Sequence, residues 1–309
     1  MRKISLGFLL VFCSLFMTSC TRETVDESKI NIVTSFYPMY VATANIVEGV
    51  EEIELKNLTA STTGCLHDYQ ITTSDMIKLS HADALVINGD GMESFIEKAI
   101  STYPKLNIIN ASRGIRENFI HEEEHEHREH IHEHEEHEHE ENSHYWVSIS
   151  LYMEQIKNIK DAIIIICPNS KDKIEKNTKE YLGKLEELRT KMHDALDVIE
   201  NKKVVTFHEA FEFFADEFDL DVVAVIEREP GTYPSSKDVA EIIDLVKEKE
   251  VKAIFVEPQY SRSAADTISR ETGVSVYNLD PIVTGDLKKD AYIEIMENNL
   301  KNLQEAFSK

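Results

Sequence analysis

Short apolar runs bounded by polar turns alternate along this chain with stretches whose apolar residues recur at helical spacing. In the first part the pattern predicts strands at Ile30–Thr34, Glu52–Leu58, Ala84–Asn88 and Leu106–Asn110. Between them it predicts helices at Met39–Glu48, Thr72–Ser80 and Met92–Ala99. The stretch Val147–Cys167 reads two ways, because its start has helical spacing while Ile163 to Ile166 would suit a strand equally well. From Lys171 to Ile199, the residues Ile174, Tyr181, Leu185, Leu188, Met192, Ala195 and Ile199 fall at steps of three, four or seven, which is one long amphipathic helix. At 1.5 Å per residue, roughly 30 residues span about 45 Å, more than one lobe needs.

The alternation then restarts. Strands are predicted at Lys203–Phe207, Val222–Ile226, Ala253–Val256 and Val274–Leu279, and helices at Glu209–Phe218, Lys237–Lys249, Ala264–Thr272 and Leu287–Phe307. Repeated βα units imply mostly parallel sheets covered on both faces. The expected fold class is therefore α/β, with two lobes bridged by the long helix. The division is 1–19 signal peptide, 20–28 tether, 29–168 first lobe, 169–200 bridging helix and 201–309 second lobe.

Arg2 and Lys3 precede an apolar run, Ile4 to Met17, that is too short to span a bilayer and has the form of a signal sequence. Cys20 follows small residues as in a bacterial lipobox, which makes it the expected lipid anchor of an extracytoplasmic protein held to the cell membrane. Cys13 leaves with the signal, and Cys65 and Cys167 are compatible with a disulfide or with two separate buried thiols. The formal charge of −24 disfavours a nucleic-acid partner and favours a cation ligand. About −10 of that charge sits in one run, His121 to His144, with eleven glutamates, one arginine and nine of the thirteen histidines. The run has no apolar period, so 121–143 reads as a mobile surface insertion in the first lobe.

Two motifs have plain explanations. His121-Glu122-Glu123-Glu124-His125 matches the zinc-protease spacing, but it lies in low-complexity sequence with no buried helix face to carry it. Gly89-Asp90-Gly91 has no third glycine, because Ser94 stands there, and it reads as a tight strand-to-helix turn. His81 at a helix end and His193 off the apolar stripe read as surface groups. The informative residues are His67 in the loop after the second strand, His208 directly after a strand, Asp280 directly after another, and His144 at the close of the acidic run. Ligands in α/β sheets gather beyond the carboxyl ends of strands, so two lobes could bring these four into one cleft. A histidine in a loop is, however, usually a satisfied polar group, and spacing alone leaves both readings open.

Gly64-Cys65-Leu66-His67-Asp68-Tyr69-Gln70, Ser74-Asp75 and Lys78-Leu79-Ser80-His81-Ala82-Asp83 resemble motifs of the solute-binding lipoproteins of zinc and manganese ABC importers. So do His144-Tyr145-Trp146, His208-Glu209-Ala210-Phe211, Phe255-Val256-Glu257-Pro258-Gln259 and Leu279-Asp280-Pro281-Ile282, in the same order over nearly the whole mature chain. The resemblance implies a metal held between two lobes by His67, His144, His208 and Asp280. The chain departs from the family at Leu66, where Pro is frequent, and around Ser143-His144-Tyr145-Trp146, where Asp-Pro-His-Val-Trp is common; His139 is the alternative ligand there. Three imidazoles and one carboxylate suit Zn²⁺ better than Mn²⁺. The resemblance implies a monomeric, non-enzymatic protein that gives zinc to an ABC importer permease. The insertion would collect zinc weakly, against the plain reading of a solvated acidic loop. Glu257, Glu209 and Trp146 are candidates for orienting the ligands. The alternatives are a manganese-type binder and a metal buffer or adhesin without a transporter. A zinc hydrolase would need an open metal position and a general base, which four protein ligands do not supply.

Overall fold

In the computed structural model, which describes residues 28–63, 66, 69–116, 142–226 and 234–308, each half of the chain builds its own four-stranded sheet with the same strand order. Strands β1 (Ile30–Thr34), β2 (Ile53–Asn57), β3 (Ala84–Ile87) and β4 (Asn107–Asn110) form one sheet in the order β2-β1-β3-β4. Strands β5 (Lys203–Thr206), β6 (Asp221–Val225), β7 (Ala253–Val256) and β8 (Ser275–Asn278) form a second in the order β6-β5-β7-β8. Every pairing is parallel. Parallel strands need crossovers, and helices supply most of them: α1 (Tyr37–Ile46), α2 (Thr73–Ser80) and α3 (Glu97–Ile100) in the first half, α6 (Glu212–Phe218), α7 (Ser236–Lys249) and α8 (Ser263–Thr272) in the second. Helices α4 (Ile149–Ile166), α5 (Lys171–Leu196) and α9 (Ala291–Phe307) complete the set among the described residues.

The two sheets share one core. A single buried cluster runs from Ile32, Met39 and Val86 through Trp146, Tyr152 and Leu185 to Phe214, Phe255 and Leu303. Separate apolar layers cover the far faces, Val33, Leu79 and Leu85 in the first lobe and Val205, Ile254 and Ile268 in the second. Helix α5, with 26 residues, packs on α1 and α4 of the first lobe and on α6 and α9 of the second. Its apolar stripe Ile174, Tyr181, Leu185, Leu188 and Met192 is buried as the spacing predicts, but at its end Leu196 and not Ala195 is the buried residue, and the helix stops before Ile199. Asn177 uses both amide hydrogens to close the end of α1, donating to the carbonyls of Ile46 (3.1 Å) and Glu48 (2.8 Å). The helix also carries ion pairs to the second lobe, Lys184–Asp290 and Lys191–Glu297.

Polar contacts tie the lobes directly. Tyr37 Oη donates to the Asp286 carbonyl (2.8 Å), Asn45 Nδ2 to the Lys289 carbonyl (2.9 Å) and the Gly285 amide to the Ser61 carbonyl (3.0 Å). Gly285 has φ 154°, and a Cβ there would lie 2.4 Å from Tyr37 Oη, so the close approach of the lobes requires glycine. Ser150, at the start of α4, donates to Glu217 on α6 through its hydroxyl (2.6 Å).

One open reading is settled and two expectations need correction. The Val147–Cys167 stretch is helical over Ile149–Ile166: Ser148 caps it, and Ile149, Tyr152, Ile156, Ile159 and Ile163 form its buried stripe, so helical burial overrides the isoleucine run. No helix starts at Met92; a 3₁₀ turn at Ser94–Ile96 precedes the short α3, because Gly89, Asp90 and Gly91 all have positive φ. The last helix starts at Ala291, not Leu287, since the Asp286 and Lys289 carbonyls are already engaged by Tyr37 and Asn45 of the other lobe. Among the described residues no helix is long and apolar enough to cross a membrane. The signal and most of the tether, Cys20, Cys65, His67 and the run His121–His139 lie outside the described residues. Cys167 is buried at the C-terminal end of α4.

Candidate metal site

The second lobe places its candidates by strand register. Parallel β5 and β7 align Thr206 with Phe255, so the residues leaving their carboxyl ends emerge side by side. His208 leaves β5 in extended conformation (φ −126°, ψ 158°) at the head of a 3₁₀ turn, and Glu257 follows β7 directly. Both are buried, with Nδ1 of His208 3.5 Å from Glu257 Oε1. A carboxylate facing one ring nitrogen orients an imidazole and leaves the other nitrogen to face a ligand.

Asp280 lies two residues past β8. Asn299 on α9 fixes its backbone twice, accepting from the Asp280 amide (2.9 Å) and donating to its carbonyl (2.8 Å). Asp280 Oδ1 accepts from the Ile282 amide (2.8 Å), and this small turn forces Ile282 to φ 62°, a costly conformation for a β-branched residue. Burial raises the Asp280 carboxyl above the usual carboxylate range, against the opposing effect of the Ile282 amide and the Gln259 side chain. An acid that has lost part of its hydration gains from a cation beside it.

His144 comes from the first lobe, at the head of the 3₁₀ turn Tyr145–Val147. Its ring lies 5.2 Å from that of His208, nearly perpendicular, and 5.1 Å from Trp146. Trp146 in turn donates through Nε1 to the Pro281 carbonyl (2.7 Å), next to Asp280. One indole therefore spans the two lobes between His144 and the Asp280 turn. A buried polar network backs the histidine. Asn88 Nδ2 donates to the Ser143 carbonyl (2.9 Å), Gln155 Nε2 donates to Asn88 Oδ1 (2.7 Å), and the Glu93 carboxylate accepts from the amides of Asn88 (2.6 Å) and Gly89 (3.0 Å) and from Ser35 Oγ (2.7 Å).

The structure thus brings His144 and His208 together and sets Asp280 on the same seam, joined to His144 through Trp146. Among the described residues, no three His, Cys, Asp or Glu side chains gather closely enough to hold a metal by themselves. His67, the fourth candidate, lies outside the described residues, as does its alternative-bearing run at His139. His81 is exposed at the end of α2, and His193 pairs with Asp197 on α5, away from the cleft. Sequence reading missed Asn142, whose Oδ1 lies 2.8 Å from His144 Nδ1, and the Glu93 network. The departure from Asp-Pro-His at Asn142-Ser143-His144 was the available signal for the first. Nothing in the sequence marked the second, because only the three consecutive positive-φ residues turn Glu93 inward.

Comparison with known proteins decides the family. Residues 32–306 match the family model ZnuA, described as zinc-uptake complex component A, periplasmic. The chain belongs to that family. It is 33% identical over 318 residues to the high-affinity zinc uptake system protein ZnuA of Bacillus subtilis (strain 168), covering 99% of this chain and 98% of that one. It is 31% identical to the zinc-binding lipoprotein AdcA of Streptococcus pneumoniae (strain ATCC BAA-255 / R6), and there 99% of this chain spans only 61% of the relative. Among solved structures, the Zn(II)-bound ZnuA-like domain of Streptococcus pneumoniae AdcA superposes with a TM-score of 0.72 at 27% identity, covering 91% of this chain and all of that one (100%). The Mn²⁺ complex of FpvC from Pseudomonas aeruginosa gives 0.76 at 26% identity, covering 91% and 98%.

Glu93 allows a prediction about pH. Burial pushes its carboxyl from an ordinary 4.5 up to about 7, despite four hydrogen bonds that favour the ionised form. The folded protein therefore holds this proton more tightly than the unfolded chain. The associated stability is greatest below pH 4.5 and is lost as pH rises through about 7. At 1.36 kcal/mol per unit, the change is about 3 kcal/mol. The stability difference between wild type and Glu93→Gln, from urea unfolding at pH 4.5 and pH 8, should shift by that order in favour of wild type at the lower pH. A difference that does not vary with pH contradicts the burial argument.

Proposed function

We propose that this protein captures Zn²⁺ outside the cytoplasm and delivers it to the permease of an ABC importer. The observation that carries the reading is the meeting of His144 and His208, one from each lobe, with ring centroids 5.2 Å apart at the carboxyl ends of the strands. The ligand set is His67, His144, His208 and Asp280. Three borderline-soft nitrogens and one oxygen favour Zn²⁺ over Mn²⁺, which prefers more oxygen donors. The zinc-uptake relatives support the same cargo.

Tethering through Cys20 would hold the monomer at the outer face of the membrane, beside its permease. The run His121–His139 would act as a weak collector, since its low-complexity sequence offers no apolar pattern to preorganise a site, and ordering it around each ion costs affinity that cleft ligands keep. Arg116 Nη2 donates to the Asn142 carbonyl (3.2 Å), two residues from His144. Cleft binding in the folded form adds RT ln(1 + [L]/Kd) to stability, about 2.7 kcal/mol at a hundredfold excess over Kd.

Zinc titration by calorimetry of a protein lacking 121–139 tests the division of labour. One tight equivalent should remain, with a raised melting temperature that fades below about pH 6.5 as imidazoles protonate. The weaker equivalents should disappear. Loss of the tight equivalent on this deletion would place the transport site in the run and overturn the cleft reading.

A further inference from the structure

We propose that Asn142 is a positioning residue that sets the tautomer of His144 and fastens it to the turn carrying His208. The inference rests on the cleft reading above for its link to zinc. Its structural half does not depend on that reading.

The argument begins with the amide's orientation. Oδ1 of Asn142 lies 3.0 Å from the backbone nitrogen of His144, which can only donate, so the atom facing it is the oxygen. Nδ2 faces the Glu209 carbonyl at 3.0 Å and Glu212 Oε2 at 2.7 Å, which can only accept. Both lone pairs and both hydrogens of the amide are therefore in use, and no flip satisfies the same partners. The same Oδ1 lies 2.8 Å from Nδ1 of His144. An oxygen that cannot donate requires Nδ1 to carry the proton. Nε2 then holds the lone pair and becomes the nitrogen available to a cation.

The second half of the amide reaches across the cleft. Glu209 directly follows His208 and starts the turn that His208 heads. One side chain thus grips His144 by its ring and backbone and, through its other end, grips the backbone one residue beyond His208. Separation of the lobes would break the Nδ2 contacts, while the Oδ1 contacts that set the tautomer lie within one lobe. One group thus serves both closure and ligand preparation.

Two variants separate these roles. Asn142→Ala removes both ends. Asn142→Asp keeps an isosteric acceptor for Nδ1–H, while it loses the donors to Glu209 and Glu212. Long-range ¹H–¹⁵N NMR of the imidazoles in the whole, zinc-free chain reads the tautomer directly, with His144 assigned from its absence in His144→Gln. The wild type should show protonated Nδ1. Asn142→Ala should show a mixture of tautomers, and Asn142→Asp should restore the Nδ1–H form. Zinc affinity by chelator competition should fall 10–100-fold in Asn142→Ala. A wild-type His144 protonated at Nε2, or an Nδ1–H form that survives in Asn142→Ala, overturns the proposal. A shifted tautomer with unchanged zinc affinity also overturns it, by removing His144 from the metal. The expected tautomers in a wild-type chain that takes up no zinc support the clamp and contradict the zinc reading instead.

Discussion

Replacing His208 with alanine is expected to weaken zinc binding about 100- to 1000-fold while the protein stays folded. Structural zinc sites with four ligands are worth about 10–16 kcal/mol, so one ligand accounts for roughly 3–4 kcal/mol, or two to three decades in affinity. His208 is buried against Glu257, and its ring is the second-lobe partner of His144. Removing it leaves a site built mainly from one lobe. The effect should therefore exceed that of any residue acting through a ligand, Asn142 included. Competition with a chelator of known affinity measures it, and circular dichroism checks the fold. A His208→Ala protein with wild-type affinity would sink the ligand assignment. The same experiment on Asp280→Ala separates coordination from scaffolding, because Asn299 holds that turn through backbone atoms that alanine retains.

Trp146→Ala should be the most damaging single change to stability. The indole is fully buried, and truncation of a buried Trp costs about 3–5 kcal/mol through lost contacts and the cavity left behind. It would also leave the Pro281 carbonyl without the 2.7 Å hydrogen bond from Nε1, a further penalty of about 1–3 kcal/mol. Phe36, edge-on to the indole at 4.9 Å, and His144 at 5.1 Å lose a wall each. Trp146→Phe keeps much of the volume and should recover most of the packing but not the link to Pro281. Because the chain has one tryptophan, unfolding in urea must be followed by circular dichroism. If Trp146→Ala and Trp146→Phe lose the same small amount, the indole is not the keystone of the seam. Zinc affinity should drop in both, since Pro281 adjoins Asp280.

Sequence by itself determined the elements and their order. Strands fully covered on both sides read as apolar runs, and β1, β3 and β7 were placed within a residue because their burial is nearly continuous. The stripe of α5 was equally plain, since a helix in contact with both lobes must repeat its apolar residues along its length. His208 and Asp280 were legible because the strand ends that present them are local features. Boundaries failed where distant groups decided them. The start of α9 depends on Tyr37 and Asn45, more than 240 residues away, and the turn before α3 depends on three consecutive positive φ angles.

Tertiary structure alone decided how the halves meet. That Gly285 must lack a Cβ because Tyr37 stands over it is a fact about two lobes, and no local pattern encodes it. The same holds for Trp146 reaching Pro281, Asn142 reaching Glu209, and the burial that raises Glu93 and Asp280. Hydrophobic periodicity records which face of an element is covered, but not by what. The partners across the cleft come from residues 67 to 249 positions apart, and only the folded chain brings them within hydrogen-bond distance.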